Sequence, residues 1–256
     1  MSVPRNAIAR IALYALFACV GGFGCASMPE RAEPETNDPF ERVNRAIFTF
    51  NLKADRSVVR PVATGYRRIT PDPVERRVGN FFANLTGPVV IASDLLQGKF
   101  KQAGADTGRF LINSTVGLLG MFDVANRMGL EPHQEDLGQA FGRWGIGRGP
   151  YIMLPVFGPF SLRDGVGRLL ALPLEPIREY DNDNAARNSL ALLYGIHGRA
   201  GLLAVDDQLD SAFDPYIFLR DAYYQRRQFL LFDGDPPSLD EEFGDEFSEE
   251  EFLGEP

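Results

Sequence analysis

The chain is poor in the residues from which most active sites are made. It has two histidines, His133 and His197, and two cysteines, Cys19 and Cys25, in 256 residues. A zinc hydrolase needs clustered histidine, cysteine or carboxylate ligands, and a serine hydrolase of the common type needs a G-x-S-x-G elbow. Neither pattern occurs. No Gly-Lys-Ser/Thr closes a phosphate loop, and Gly145, Gly147 and Gly149 give G-x-G-x-G running into Pro150, not the G-x-G-x-x-G of a dinucleotide site. The expectation is no catalytic set, no metal site and no cofactor. An uninterrupted apolar run of about 20 residues, the length that crosses a bilayer, is also missing. So are internal repeats and, for the most part, the alternating patterns of strands.

Charge is missing in one place and concentrated in another. Asp233 to Pro256 carries eleven acids and no base, with Phe243, Phe247 and Phe252 interleaved. The formal charge of −9 becomes −11 once Arg5 and Arg10 are set aside with the N-terminal leader, and the tail accounts for all of it. Residues 25–232 are therefore neutral, with no basic stripe to hold nucleic acid. The tail itself, 233–256, reads as a solvated, disordered extension.

The first residues explain the cysteines. Arg5 and Arg10 precede an apolar stretch, Ile11 to Phe23, that is too short for a membrane span and suits a secretory signal. It ends at Gly24-Cys25-Ala26-Ser27, which resembles a bacterial lipobox. Residues 1–24 are then a cleaved signal peptide, Cys25 the acylated N-terminus and 25–37 a linker. Gly22 stands where such motifs carry Leu or Val, so Leu16-Phe17-Ala18-Cys19 makes Cys19 the rival site; an ordinary cleaved signal is the third reading. Cleavage at Cys25 leaves one cysteine, so no intramolecular disulfide supports the fold. Each buried acyl CH₂ contributes about 0.8 kcal/mol, and two or more chains make a stable tether.

Residues 38–232 are long enough for one domain with its own core. Asp38-Pro39-Phe40-Glu41, Asp72-Pro73-Val74-Glu75 and Asp214-Pro215 each set an acid before a proline, the chemistry of a helix start. Glutamate three residues after the acid completes a capping box in the first two. Ser161-Leu162-Arg163-Asp164 offers a fourth start. Behind them apolar residues recur at helical spacing: Val74, Val78, Phe81, Phe82 and Leu85, then Phe100, Ala103, Thr107, Phe110 and Leu111, then Leu190, Leu193, Tyr194 and His197. His197 reads as a packed histidine. Tyr151 to Val156 is the one candidate extended piece. The class is all-α with Gly/Pro-rich connections.

Two stretches, Phe110 to Phe122 and Gly149 to Ser161, carry no charge at all. Each is either a buried core helix or an amphipathic helix lying at shallow depth in one leaflet. The second belongs to a segment, Gly145 to Gly167, whose glycines and prolines force turns and allow close backbone approach.

Taken in order, "NDPFERVNRAIFTFN", "RPVATGYR", "NFFANLTGPVVIASDLLQGKF", "RFLINSTVGLLGMFDVA", "EDLGQAFGRWGIGRGPYIMLPVFGPFSLRD" and "DPYIFLRDAYYQRR" resemble the MlaA (VacJ) family of outer-membrane lipoproteins. The resemblance implies a ring-like helical protein in the inner leaflet of the Gram-negative outer membrane, on its periplasmic face. It implies an amphipathic channel that removes misplaced phospholipids from the outer leaflet. The partners it implies are phospholipid, a trimeric porin and a periplasmic lipid carrier. By motif position Gly117, Gly120 and the segment to Asp123 correspond to a flexible region beside the channel, less glycine-rich here because of Leu118-Leu119. Candidate lipid-path residues in the central signature are Gly145, Gly147, Gly149, Pro150, Tyr151, Pro155, Gly158, Arg163 and Asp164. Arg163 would meet either a headgroup phosphate or an acid such as Asp164 or Asp123.

Overall fold

The computed structural model describes residues 38–176 and 184–237. The leader with Cys19 and Cys25, the linker and the acidic tail from Ser238 onward lie outside these residues.

Helix α1 (Glu41–Ala54) runs through a π-type turn at Asp55–Val59 into α2 (Arg60–Ile69). A long α3 (Asp72–Leu96) and α4 (Phe100–Thr115) form a helical hairpin, with Gly98 taking the left-handed turn between them at φ 76°. Short α5 (Val124–Arg127) and α6 (Leu137–Arg143) lead to strands β1 (Tyr151–Leu154) and β2 (Gly158–Ser161). These pair antiparallel, Tyr151 opposite Ser161 and Leu154 opposite Gly158. Helices α7 (Leu162–Ala171), α8 (Asn184–Gly201), α9 (Asp206–Ser211) and α10 (Pro215–Leu231) complete the described chain. The protein is all-α apart from that one hairpin.

Packing closes a circuit: α1 to α2, then α8, α3, α6, α7 and the β-hairpin, which returns to α1. Helix α10 fills the angle between α6, α9 and β2. Two apolar clusters result. One is aromatic, with Phe48, Tyr151, Met153, Tyr216 and Tyr224; Tyr151 meets Tyr216 and Tyr224 edge-on at 6.1 and 5.6 Å. The other joins Val89 and Leu96 of α3 to Leu137, Ala140 and Ala171.

Of the four expected caps, two form. Asp214 accepts from the Tyr216 and Ile217 amides at 3.0 and 3.2 Å, and Ser161 accepts from the Asp164 amide at 3.1 Å. At Asp38 the helix starts three residues later and the carboxylate is drawn off by tertiary partners, accepting from Asn44 Nδ2 at 2.8 Å and from the Tyr216 hydroxyl. Asp72 is already the first residue of α3, where its side chain caps nothing.

Neither uncharged stretch is a buried core helix. Phe110 to Phe122 is the end of α4 followed by a compact loop, and it exposes Leu111, Val116, Leu118, Leu119, Met121 and Phe122. The expectation of a helix over Gly149 to Ser161 is corrected outright: it is the hairpin, with Leu154, Val156 and Phe157 at an apolar tip. Pro150, Pro155 and Pro159 deny it a helix, and two asparagines of α1 stand in for a third strand. Asn44 bonds the Tyr151 carbonyl and Met153 amide at 3.0 and 2.9 Å, and Asn51 the Leu154 carbonyl and Val156 amide at 2.9 and 2.8 Å.

Candidate functional site

The central glycine-rich signature is architecture around a buried ion pair. The Arg163 side chain is 3% exposed, its Nε lies 3.1 Å from Asp164 Oδ1, and its Nη1 donates to the Ile146 carbonyl at 3.2 Å. The acid it meets is Asp164, not Asp123. Asp164 also accepts from the Tyr223 hydroxyl at 2.7 Å and from Arg227 at 2.9 Å. Arg227 in turn holds Asp136 at 2.5 and 3.0 Å. Burial alone would raise the Asp136 carboxyl, but the Arg227 bonds, with the Gln139 amide, override it and hold its pKa down at about 2.

The chain wraps this knot through left-handed Gly145 and Gly149, φ 79° and 68°. Gly147 departs from expectation: its backbone is ordinary and a Cβ there would meet nothing within 4 Å. Pro150 accepts the Leu162 amide through its carbonyl, Tyr151 is fully buried in the aromatic cluster, and Pro155 and Gly158 belong to the hairpin tip.

A cavity of about 460 Å³ lies elsewhere, between α3, α4 and the segment Pro132–Asp136, which we call the strap. Of the sequence candidates only Asp123 lines it; Gly117 and Gly120 stand behind the wall. Gly120 is fixed there by φ 91° and by Asn84, whose Cβ would be 2.2 Å from an added methyl. Leu118 and Leu119 beside it also sit in the left-handed region, at φ 51° and 59°, a conformation that is strained for leucine.

Polar side chains line the cavity, Asn80 and Asn84 from α3 and Asp106, Arg109 and Asn113 from α4. Apolar ones, Ala83, Val89, Val90, Phe110 and Leu230, stand among them. Arg109 donates to Asp123 at 3.1 and 3.2 Å, and Asn113 donates to it at 3.0 Å. Burial pushes the Asp123 carboxyl up, yet Asn113, the Asn126 amide and Arg109 together keep it below the usual carboxylate range. Sequence reasoning missed this wall. The signal was present as polar residues at helical spacing, Asp106, Arg109 and Asn113, on one face of α4.

At the inner end three carboxylates converge from three segments. Gln102 Nε2 bridges Asp94 Oδ1 and Glu135 Oε1 at 2.8 and 2.9 Å, while Lys99 Nζ and Gln97 Nε2 each reach Glu135 at 2.7 Å. His133 Nδ1 lies 2.8 Å from Asp106 Oδ2. Asp94 is fully buried, and burial, then Asp106 and Glu135, push its carboxyl up to about 7. Among the described residues no group of histidine, cysteine and carboxylate side chains is arranged to hold a metal ion, and no helix is long and apolar enough to cross a membrane. His197 is packed, its Nδ1 3.3 Å from the Tyr66 hydroxyl and its ring against Phe82.

Comparison with known proteins gives the family and the fold. The sequence model of the family described as MlaA lipoprotein matches residues 36–230. The intermembrane phospholipid transport system lipoprotein MlaA of Shigella flexneri is 36% identical over 218 residues, covering 83% of this chain and 85% of that one. The protein of the same name from Haemophilus influenzae is 32% identical over 231 residues, 87% and 90% of the two chains. A solved structure described as the structural basis for maintenance of bacterial outer membrane lipid asymmetry superposes with a TM-score of 0.68 at 34% identity, covering 77% of this chain and all of its own.

Proposed function

This chain belongs to the MlaA lipoprotein family, and on that premise we propose that it moves phospholipid at the Gram-negative outer membrane through the α3–α4 cavity. Lipid misplaced in the outer leaflet enters and leaves on the periplasmic side, toward a soluble lipid carrier, with a trimeric porin holding the protein in place. Cys25, or its rival Cys19, is the acylated anchor.

The observation that carries this reading is a cavity lined by polar and apolar side chains together. A phospholipid presents a charged headgroup and two hydrocarbon tails, and burying either against the wrong surface is costly. A lining that offers both kinds of group suits such a molecule. Exposed Val116, Leu118 and Leu119 beside the cavity, and Val156 and Phe157 on the hairpin, supply apolar surface suited to a leaflet.

Ala83→Trp tests this by filling the cavity from α3. Cells carrying it in place of the native protein should accumulate outer-leaflet phospholipid to the level of a deletion strain, measured by mass spectrometry, while the variant stays acylated and membrane-bound. Normal clearance with the cavity filled would sink the proposal.

A further inference from the structure

The cations around the cavity differ in what they hold. The two arginines of its lining are already spent, Arg109 on Asp123 at 3.1 Å and Arg168 on Glu175 at 2.6 Å. At the inner end Lys99 is shared between Glu135 and Asp233. Arg76 and Arg77, near the start of α3, are different. Both are exposed, and among the described residues no carboxylate lies within ion-pair distance of either. Asp72, one turn before Arg76, does not pair with it, and the charge of Glu75 acts on Tyr66.

Helix geometry sets these two arginines at the mouth. Asn80, Ala83 and Asn84 are the first residues of α3 to line the cavity. Arg76 precedes Asn80 by four positions and Ala83 by seven; Arg77 precedes Asn80 by three and Asn84 by seven. Such spacings fall on one side of a helix. Both arginines therefore stand on the lining face of α3, about one turn or 5 Å beyond Asn80, at the end away from Glu135.

The loop that follows α4 packs on the same face. Asn80 Nδ2 donates to the Met121 carbonyl at 3.5 Å, and Asn84 Nδ2 to Ser114 Oγ at 2.8 Å. The Arg77 guanidinium carbon stands 4.9 Å from the centre of the Phe122 ring. Inside the loop the Leu119 amide donates to the Ser114 carbonyl at 3.0 Å, and the Gly120 amide to the Asn113 carbonyl at 2.7 Å. These bonds hold Leu118 and Leu119 at left-handed φ, against the preference of leucine, with both side chains exposed. Apolar groups and uncommitted cations thus meet at one end of the cavity.

We propose that Arg76 and Arg77 form a phosphate-receiving rim at the outer end of the cavity, where Leu118 and Leu119 take the acyl chains of the same phospholipid. The planar fork of arginine matches the oxygens of a phosphodiester. Inorganic phosphate would engage the arginines alone and an uncharged diglyceride the leucines alone; a phospholipid engages both. That the lipid then enters the cavity rests on the proposed function; its binding at the rim does not.

The test is a titration of the full-length, acylated protein in nonionic detergent with dihexanoyl phosphatidylglycerol. The double variant Arg76→Gln/Arg77→Gln should bind this probe at least about tenfold more weakly, since hydrogen bonds to charged groups are lost. Its affinity for dihexanoylglycerol, which lacks the phosphate, should not change, and Arg76→Lys/Arg77→Lys should recover part of the loss. Unchanged affinity for the phospholipid in the glutamine variant overturns the rim. So does an equal loss for dihexanoylglycerol, which would make the arginines packing residues. Inorganic phosphate that binds the native protein as tightly as the phospholipid overturns it too, since the leucines would then contribute nothing. If the double variant does not fold, Arg76→Gln alone decides by the same readings, because no hydrogen bond or ion pair among the described residues uses Arg76. Lipid clearance by Ala83→Trp tests the path and this titration tests the rim, so either can fail alone.

Discussion

Two clusters of charge lie inside this protein, and a carboxyl in each shifts the opposite way. Between α6, α7 and α10, Arg163 and Arg227 face Asp164 and Asp136, with Ser161 and Tyr223 supplying further hydrogen bonds. At the inner end of the cavity, Asp94, Asp106 and Glu135 face one lysine and an arginine committed elsewhere. Burial penalises Asp136 in the first and Asp94 in the second. In the first cluster guanidinium donors outweigh the penalty and Asp136 falls to about 2; in the second they are too few and Asp94 rises to about 7. Burial raises both, and the committed donors decide which way each finally moves. The balanced knot is a structural core, and the imbalance sits where the cavity is. That is where perturbed groups gather when they have work to do.

Breaking the balanced side should have the largest effect. Arg227→Met leaves Asp136 and Asp164 without their shared cation, and stability in urea at pH 7 should fall by about 3–5 kcal/mol. A loss below about 1 kcal/mol would show that Arg163 alone balances the knot.

Relieving the unbalanced side should go the other way. Because Asp94 is held up at about 7, above its unfolded value, its share of stability is full below pH 4 and is lost between 4 and 7. Asp94→Asn should thus match the wild type near pH 4 and exceed it by on the order of 2 kcal/mol at pH 8. Equal stability at pH 8 would mean that Lys99 neutralises the cluster after all.

Acid sharpens the contrast. Asp136, held down at about 2, contributes stability that is present above pH 4 and lost as pH falls from 4 toward 2. Its side chain is 41% exposed, so screening trims this to about 1 kcal/mol, seen as the acid-limb difference between wild type and Asp136→Asn. An identical acid limb in the two would put the shift down to geometry without energetic weight.

The smallest effect concerns the tail. Asp233 reaches into the unbalanced cluster, bonding Lys99 and, at 3.3 Å, Arg143. Removing Asp235 to Pro256 leaves that contact in place and should move the melting temperature by less than about 2 °C. A larger drop would tie the tail to the cluster.

Much of the fold was legible because it is local. Amphipathic spacing, proline after an acid and serine before Asp164 are relations between residues one to four apart, and the helices with their Asp214 and Ser161 caps follow them. The rules failed where a distant group outbid a near one. The Asp38 carboxylate left its own helix for Tyr216, and Gly147 proved free of any demand for glycine. The hairpin was foreshadowed only as an extended Tyr151 to Val156, since its third strand is a pair of asparagines on α1 some hundred positions away.

By itself the sequence determined the all-α class, the helix starts at Asp214 and Ser161, the neutral domain with its acidic tail and the family resemblance. Each is a property of short windows or of composition. Only the tertiary structure decided that Arg163 is a core ion pair and that a cavity lies between α3 and α4. It alone brought Asp94, Asp106 and Glu135 together, since a pKa and a cavity wall depend on which side chains meet when the chain returns on itself. Spacing along the chain does not encode that meeting.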